Sequence, residues 1–364
     1  MRLTTKKDEM KLGPADVDFL WRAIALAGRG EGHTRPNPPV GAVVVQNGRI
    51  VGEGWHRKAG GDHAEVAAIK NAVKKGHSTQ GASIYVTLEP CSKPGRVGAC
   101  TDAIKAAGIA RVVYAAADPN PANRGKAKRM LAKAGIPCTR VARAACERAV
   151  WDDCGGLESL RQSARRLIEP FAKHVLTGLP FVTVKLAMSL DGKICDDFGD
   201  AKWISSAASR KIVGWERASV DAIMVGAETV RRDNPSLLSH NKRNDDLVRV
   251  VISRSGKLPK NAQIFTDGAV NETLVFSDAK QALVELGKRG LMHVYCEGGL
   301  TLARSLADEG LVDRWISVLS PIVIGSRPIK AARRFAPFSY GFSDPVAGDL
   351  ESRYEAVQRS ASRG

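Results

Sequence analysis

Two cysteines, a histidine and a glutamate in the first hundred residues have the types and spacing to bind a metal ion and move a proton. Cys91 and Cys100 are nine positions apart, and the proline and glycines between them would let the chain turn back, so that both thiolates could bind one zinc ion at about 2.3 Å. His63 and Glu65 begin an apolar pattern of helical period, which places them in the first turn of a predicted helix. Side chains at i and i+2 face away from each other on a helix, so the ion is expected at the end of that helix.

Three protein ligands would leave the fourth tetrahedral position of zinc to water, which is the arrangement of a catalytic rather than a structural zinc. Glu65 is then the candidate catalytic residue, because coordination acidifies water and a carboxylate can carry its proton to a leaving amine. The order His63-Ala64-Glu65 and then Pro90-Cys91 is typical of zinc deaminases, although eight residues rather than two separate the cysteines. A pair of buried thiols near a surface histidine, or a closed structural zinc without catalysis, would also fit these residues.

Alternating helices and strands surround these candidate residues. The pattern predicts a helix over 16–29 that is capped by Asp16 and a hairpin at Asn47-Gly48, whose two strands open the element order ββαβαβαβ. Both ligand segments lie where strands or loops lead into helix starts, as binding sites of such sheets commonly do. Residues 144–177 have a helical pattern with a break at Gly155-Gly156, and a second α/β region begins at Pro180.

The long spacing of the cysteines resembles the bifunctional deaminase-reductase family of riboflavin biosynthesis. Four other motifs agree with it: Pro36-Asn37-Pro38, Val40-Gly41, Gly52-Glu53-Gly54-Trp55-His56 and Asp118-Pro119-Asn120-Pro121. The resemblance implies a cytidine-deaminase-like three-layer α/β domain, in which Asn37 and His56 position the base. Lys93 and Arg96 in the zinc loop could hold a substrate phosphate as cations, and the alternative for Lys93 is simple exposure to solvent.

The second half resembles, motif by motif, the reductase of the same family, whose fold is similar to dihydrofolate reductase. The matches are Lys185, Ser189-Leu190-Asp191-Gly192, Trp203-Ile204-Ser205, Gly226 with Thr229-Val230, Asp233-Asn234-Pro235 with Leu237, and Glu297-Gly298-Gly299 with Thr301-Leu302. The resemblance implies an NADPH site formed by Ala187, Trp203, Thr229, Asp233, Gly299, Leu300, Thr301, Leu302, Ala303, Arg304 and Ser305. It also implies a site for a phosphoribosyl substrate formed by Lys185, Arg217, Leu237, His240 and Glu297. Taken singly, Trp203 could be a core residue, and Lys185 or Arg217 a solvated charge.

Three positions depart from the reductase pattern. Ala201 and His240 stand where the family commonly has serine and arginine, and Arg254 stands where a serine often ends a strand. We hypothesise that Arg254 binds the 2′-phosphate of NADPH, since an arginine at a strand end can discriminate NADP from NAD. The reaction that the resemblance implies is hydrolytic deamination of 2,5-diamino-6-(5-phosphoribosylamino)pyrimidin-4(3H)-one, followed by reduction of its ribosyl phosphate to a ribityl phosphate.

The length of 364 residues, 44% of them hydrophobic, predicts about two domains. We expect a deaminase domain over 15–145, a helical connector over 146–179 and a reductase domain over 180–364. The start of the chain has no apolar region of a signal peptide, no run of about 20 apolar residues could span a membrane, and seven cysteines do not form a disulfide framework. A cytoplasmic protein is therefore expected, with inert thiols at Cys138, Cys146, Cys154, Cys195 and Cys296.

The net charge of +17 favours an anionic partner. Lysine and arginine cluster in 124–133 and 161–173, but aromatic residues make up only 5% of the chain and do not interleave with the basic stretches, as they do in single-strand binders. A small phosphorylated pyrimidine and NADPH are the expected ligands. The alternative is a zinc deaminase that acts on nucleic acid, with the second half as a binding module. Family likeness implies a homodimer.

Overall fold

The computed structural model describes residues 12–93, 98–141, 151–239 and 246–334. Two candidate substrate-binding residues, Arg96 and His240, lie outside these ranges. The chain divides into two compact units, Met1–Leu176 and Thr177–Gly364. Across the described residues, no helix combines the length and the apolar character that a membrane span requires.

The first unit is built on a five-stranded sheet with the order β2-β1-β3-β4-β5. Strand β1 pairs antiparallel with β2 and β3, whereas β3, β4 and β5 run parallel. The predicted order ββαβαβαβ is confirmed, with one helix before it and one after it. The elements are α1 (Pro14–Gly28), β1 (Gly41–Gln46), β2 (Arg49–Trp55), α2 (Ala64–Lys74), β3 (Ser83–Leu88), α3 (Cys100–Ala106), β4 (Arg111–Ala116), α4 (Lys126–Lys133), β5 (Cys138–Arg140) and α5 (Trp151–Thr177).

Alternation along the strands gives this sheet two apolar faces and hence three layers. Ala42 and Val44 of β1 pack in the cluster that contains residues of α2, α3 and α4, whereas Val43 and Val45 pack in the cluster that contains residues of α1 and α5. The hairpin between β1 and β2 turns at Asn47 and Gly48, whose φ values of 51° and 71° suit a type I′ turn. The predicted hairpin is therefore confirmed.

The start of α1 differs from the prediction. The helix begins at Pro14 after Gly13, so Asp16 is not its capping residue but lies in the first turn. The Asp16 carboxylate accepts the Gly13 N–H at 2.9 Å and also binds the hydroxyl of Tyr85 at 2.5 Å and the guanidinium of Arg111 at 3.0 Å. Burial alone would raise the pKa of Asp16, but these hydrogen bonds outweigh it and lower the pKa. Asp16 thus ties α1 to β3 and β4.

Helix α5 is continuous, and the predicted break at its paired glycines is wrong. Its residues from Trp151 to Thr177 are helical through Gly155-Gly156 and through Pro170. A glycine in a helix interior costs about 1 kcal/mol relative to alanine, which burial of an apolar stripe further along the helix can offset. That stripe is buried against α1 and the sheet, and it consists of Leu160, Ala164, Leu167 and Ile168. Much of the segment expected to be a connector therefore belongs to the first unit.

The second unit contains a six-stranded parallel sheet with the order β11-β6-β10-β7-β8-β9. The elements are β6 (Phe181–Ser189), α6 (Ala207–Ala218), β7 (Ala222–Gly226), α7 (Ala227–Asp233), β8 (Val248–Ile252), α8 (Gln263–Thr266), β9 (Thr273–Phe276), α9 (Ala279–Lys288), β10 (His293–Cys296), α10 (Leu300–Asp308), β11 (Arg314–Ser320), β12 (Ile322–Val323), a 3-10 turn (Ile329–Ala331) and β13 (Arg333–Arg334). Strands β12 and β13 form a separate antiparallel pair.

Both faces of the parallel sheet are covered, as its almost continuously apolar strands require. One core cluster combines Val184 and Val294 with residues of α9 and α10, and the other combines Ile223 and Val251 with residues of α6, α7 and α8. The carboxyl ends of β6, β7 and β10 meet at one edge of the sheet, which is where ligands bind in open α/β sheets.

Candidate active sites

Two glycines of β2 position the helix that carries the zinc candidates. A Cβ atom at Gly52 would lie 2.3 Å from the backbone oxygen of Ala68, and one at Gly54 would lie 2.3 Å from its nitrogen, so only glycine allows α2 to pack this close to the strand. Helix α2 begins after His63, which caps it in an extended conformation, whereas the sequence placed His63 in the first turn. Because His63 precedes the helix, its ring and the Glu65 carboxyl can approach one point despite their i, i+2 spacing.

His63, Cys91 and Cys100 form a cluster of possible metal ligands at this helix end. The Nδ1 atom of His63 lies 3.1 Å from Cys100 Sγ and 3.5 Å from Cys91 Sγ, and the two sulfurs are 3.2 Å apart. A tetrahedral zinc with ordinary bond lengths separates its ligand atoms by roughly 3.5 to 3.8 Å, so a small outward movement would accommodate the ion. Among the described residues, this group alone combines three such side chains within 4.8 Å of one another. The donor set of one imidazole and two sulfurs fits a zinc ion.

The protonation of the cluster also suits a cation. The backbone N–H of Cys100 donates to Cys91 Sγ at 3.2 Å, and hydrogen bonds from Cys100 and His63 lower the pKa of Cys91 against the effect of burial. The pKa of Cys100 is raised, because its sulfur shares a hydrogen bond with Cys91 and is buried. The pKa of His63 is raised by its hydrogen bond to Cys91, although burial opposes this. A thiolate is therefore already favoured where the metal would bind.

Glu65 lies beside this cluster and is only 3% exposed. Burial, followed by the charge of Cys91, raises the pKa of Glu65 to about 7. A carboxyl group with a pKa near the working pH can both accept and donate a proton during a reaction. Glu65 therefore has the properties of a general acid and base.

Asn37 and His56 also lie near the zinc cluster, although neither belongs to α2. Asn37 Nδ2 lies 3.1 Å from His56 Nε2, His56 Nδ1 lies 2.9 Å from the Asp62 oxygen, and the rings of His56 and His63 are 5.4 Å apart. Burial lowers the pKa of His56, and the charge of His63 lowers it further. A neutral His56 can donate from Nδ1 to Asp62 and accept from Asn37 at Nε2. Lys93, by contrast, is exposed, and Arg96 is one of the residues outside the described ranges.

Sequence reasoning missed two residues near the zinc cluster. Ser92 directly follows Cys91, and both its backbone N–H and its hydroxyl donate to the side chain of Asn123. The motif that begins at Asp118 drew attention to this segment, but nothing in it identified Asn123, because the contact joins residues 31 positions apart.

In the second unit, Glu297 lies between Lys185 and Arg217. Arg217 Nε is 2.6 Å and Lys185 Nζ is 3.8 Å from the carboxylate, and all three side chains are at most 16% exposed. Burial lowers the pKa of Lys185, although the charge of Glu297 opposes this. Burial would also lower the pKa of Arg217, but Glu297 outweighs it and raises the pKa. The view of Lys185 and Arg217 as solvated charges is therefore wrong.

Leu237 lies next to this group. It is 2% exposed and has a φ of 58°, and Arg217 Nη1 donates to the oxygen of the following Leu238 at 3.3 Å. The structure thus brings together four of the five predicted phosphoribosyl-binding residues, and the fifth, His240, is outside the described ranges.

The predicted cofactor residues lie on several elements of the second unit. Asp233, at the end of α7, lines a surface cleft of about 390 Å³ with Phe198, Gly199, Asp200, Lys202 and Arg232. Burial raises the pKa of Asp233. Trp203 is 56% exposed, so it is not a core residue, and the guanidinium of Arg210 lies 4.3 Å from the centre of its ring. Thr229 is half-buried in α7, and Ala187 is half-buried against the cluster of Ile204 and Ile322.

Helix α10 provides the remaining cofactor candidates. Gly299 caps it, and Leu300, Thr301 and Arg304 are exposed, whereas Ser305 is half-buried. The side chains of Leu302 and Ala303 pack in the core, so only their backbone can contact a ligand. Backbone amides at a helix start bind phosphate without any side chain. Arg254 is exposed beyond the end of β8 and follows the buried Ser253.

Comparison with known proteins decides the family. Residues 15–116 match the model for the cytidine and deoxycytidylate deaminase zinc-binding region, and residues 180–333 match the model for the RibD C-terminal domain. The riboflavin biosynthesis protein RibD of Bacillus amyloliquefaciens is 40% identical over 84% of this chain and 85% of its own length, and that of Escherichia coli is 34% identical over 85% and 89%. The chain belongs to the RibD family.

Solved structures of the RibD family agree. The Acinetobacter baumannii RibD is 34% identical and covers 90% of this chain and 92% of its own, with a TM-score of 0.70. The diaminohydroxyphosphoribosylaminopyrimidine deaminase/5-amino-6-(5-phosphoribosylamino)uracil reductase of Thermotoga maritima is 33% identical and covers 91% and 96%, with a TM-score of 0.74.

Membership of the RibD family confirms the expected fold and function. The chain is a bifunctional enzyme of riboflavin biosynthesis, with an N-terminal deaminase domain that uses zinc and a C-terminal reductase domain that uses NADPH. The first domain is cytidine-deaminase-like and the second dihydrofolate-reductase-like, as the sequence predicted. The comparisons do not favour a deaminase that acts on nucleic acid.

Proposed function

We propose that the first unit deaminates 2,5-diamino-6-(5-phosphoribosylamino)pyrimidin-4(3H)-one by hydrolysis and that the second unit reduces the ribosyl phosphate of the product to a ribityl phosphate with NADPH. The observation that carries the proposal is the buried Glu65 beside the converging ligand atoms of His63, Cys91 and Cys100. The name of the Thermotoga maritima relative, a deaminase and reductase of such compounds, supports the choice of substrate. A phosphorylated metabolite also suits a chain with a net charge of +17.

In the deaminase, His63, Cys91 and Cys100 would hold zinc, which when bound supplies an acidified water molecule and stabilises developing negative charge. Glu65, whose pKa is raised to about 7, accepts a proton from water and delivers it to the amino nitrogen, which leaves the ring carbon as ammonia while the water oxygen bonds to that carbon. Asn37 and His56 position the pyrimidine ring together: His56 accepts a hydrogen bond from Asn37 Nδ2 and so orients the Asn37 carboxamide, whose oxygen faces the ring. Lys93, whose side chain is exposed, and Arg96 bind the substrate phosphate.

In the reductase, Lys185 and Arg217 bind the phosphoribosyl group, and Glu297 keeps both cations in position. Leu237 and His240 complete this site. Ala187, Trp203, Thr229 and Asp233, together with the helix start from Gly299 to Ser305, would hold NADPH, which when bound supplies the hydride. The backbone amides at that start orient the cofactor phosphates.

The test is a pair of assays on the full chain loaded with zinc. Incubation with the diaminopyrimidinone phosphate should release ammonia without NADPH, and oxidation of NADPH should require the deaminated product. If NADPH is never oxidised with that product, the reductase assignment is wrong. If ammonia is released from a single-stranded polynucleotide but not from the pyrimidine phosphate, the substrate assignment is wrong.

Replacing Arg254 by alanine should weaken the use of NADPH but not of NADH. A hydrogen bond to a charged group contributes about 1.5 to 3 kcal/mol, so we expect the KM for NADPH to rise by roughly 10-fold or more. The measurement is the ratio of kcat/KM with NADPH to that with NADH. Lys260→Ala, which removes another exposed cation of the same unit, is the control and should leave this ratio unchanged. An unaltered ratio in Arg254→Ala would exclude the contact with the 2′-phosphate.

Across the whole chain, deamination belongs to residues 15–145 and reduction to residues 180–364. Residues 146–179 join the two, and the apolar stripe of α5 within this segment packs on the first unit. The enzyme acts in the cytoplasm as a homodimer, and nucleic acid is not a partner. The homodimer is an expectation from family likeness. Sedimentation of the zinc-loaded chain at micromolar concentration should give a species with twice the monomer mass of 39.0 kDa. A single species with the monomer mass would contradict the dimer.

A further inference from the structure

The loop that carries Cys91 is fixed by a buried group of hydrogen bonds beyond the metal ligands. The backbone N–H of Ser92 donates to Asn123 Oδ1 at 2.9 Å, and the Ser92 hydroxyl donates to the same oxygen at 2.8 Å. Asn123 Nδ2 in turn donates to Asp118 Oδ2 at 2.6 Å. Ser92, Asn123 and Asp118 are each at most 9% exposed, so water does not compete for these bonds.

The same group reaches the other side of Cys91 through Glu89. The backbone N–H of Asp118 donates to Glu89 Oε2 at 3.3 Å, and Glu89, which is 3% exposed, lies two residues before Cys91. The second oxygen of the Asp118 carboxylate accepts the N–H of Asn120 at 2.8 Å, which fixes the orientation of that carboxylate. Cys91 is therefore held between Glu89 and Ser92, and both are bonded to the segment from Asp118 to Asn123.

We propose that Asn123 is a positioning residue for the zinc site. It holds the Cys91 loop so that the Cys91 sulfur can share an ion with His63 and Cys100. A carboxamide suits this place because its oxygen accepts two hydrogen bonds from Ser92 while its nitrogen donates to Asp118. A carboxylate at this position would lack the donor and would repel Asp118, and an apolar side chain would offer neither group. The inference rests on the metal site of the proposed function, and it concerns how firmly the ion is held.

The bonds to Asn123 hold the Cys91 loop from a different side than the bonds made by Cys91 itself. The backbone oxygen of Cys91 accepts a hydrogen bond from the N–H of Thr101, and its sulfur accepts one from the N–H of Cys100. Both of these bonds join Cys91 to the start of α3, whereas Asn123 joins the loop to the segment before α4. Outer partners that orient metal ligands commonly change metal affinity or activity by about 10- to 100-fold when they are removed.

The experiment measures zinc release from the full-chain holoenzyme to a chromophoric chelator. Asn123→Ala and Asn123→Asp should both release zinc about 10- to 100-fold faster than the unaltered chain. Their kcat for ammonia release should fall with little change in KM, because the Asn123 side chain is buried and its polar atoms are bonded to Ser92 and Asp118. Ser92→Ala loses only the hydroxyl bond and should give a smaller increase in release, and the Ser92→Ala and Asn123→Ala effects should not add in the double variant.

The matched control is Asn71→Ala, because Asn71 Oδ1 also accepts a backbone N–H, that of Glu53 at 3.0 Å, in the same unit. This variant should lower thermal stability without changing the rate of zinc release. Equal release rates in the Asn71 and Asn123 variants would overturn the proposal, as would an unchanged rate in both Asn123 variants. If the Asn123 variants do not fold, Ser92→Ala takes their place. Zinc release from Ser92→Ala that is faster than from Asn71→Ala would support the proposal, and equal rates would overturn it. Zinc release needs no substrate, so its outcome is independent of the substrate assignment.

Discussion

Replacing Glu65 by glutamine is expected to abolish ammonia release while zinc remains bound. Glu65 is 3% exposed and its pKa is raised to about 7, which suits the proton-carrying role proposed for it beside the metal ligands, and an amide of the same shape cannot exchange a proton in this way. Loss of a positioned acid and base lowers turnover by about 100- to 10,000-fold. The measurement is ammonia release under saturating substrate, together with the zinc content of the purified variant.

Asp102→Asn is the matched control for Glu65→Gln. Asp102 also lies in the first turn of a helix at the zinc site, two residues after Cys100, but its side chain is 63% exposed and pairs with Lys105 at the surface. This variant should deaminate at close to the original rate. Oxidation of NADPH with the deaminated substrate should be the same in both variants. Ammonia release in Glu65→Gln within a few-fold of the original would rule out the proton-carrying role.

Replacing Glu297 by alanine should destabilise the second unit and stop reduction. The carboxylate is 10% exposed, and its removal leaves the buried cations Lys185 and Arg217 to repel each other without a counter-charge. Removing one partner from a buried ion pair costs about 3 to 5 kcal/mol in the free energy of unfolding. Urea unfolding measures this loss, and NADPH oxidation with the deaminated substrate measures the effect on the site.

Glu285→Ala is the control for Glu297→Ala, because Glu285 pairs with Arg289 at 3.0 Å but both side chains are about 40% exposed. An exposed ion pair contributes at most about 1 kcal/mol, so this variant should unfold nearly as the original does. Ammonia release should be retained in both variants. Equal unfolding free energies for the two variants, or normal NADPH oxidation in Glu297→Ala, would contradict the role of Glu297.

The residues that could be predicted from the sequence are those whose chemistry leaves a local signal. The motif of His63 and Glu65 and the spacing of Cys91 and Cys100 pointed to one zinc site, because few other functions need these residue types in this order. The hairpin at Asn47-Gly48 could also be predicted, because its turn needs two successive positive φ values and asparagine followed by glycine adopts them more easily than most residues do.

The features that the sequence did not reveal depend on contacts between distant residues. Ser92 and Asn123 meet across 31 positions, and neither residue type is unusual in a loop. The continuity of α5 through Gly155-Gly156 depends on burial of an apolar stripe further along the helix, which outweighs the local preference of glycine. The ion pairs of Lys185 and Arg217 likewise could not be predicted from the local sequence, because their partner Glu297 is about 80 residues or more away in the chain.

The packing of helix α5 has a practical consequence for separating the two activities. A recombinant fragment that stopped at residue 145 would lack Leu160, Ala164, Leu167 and Ile168, and it would expose to water the apolar side of its sheet that these residues cover. Such a fragment would tend to aggregate even though every zinc ligand was present. A fragment that extended to Thr177 would include α5 and so keep this side of the sheet buried. The reductase fragment could then start at Gly178.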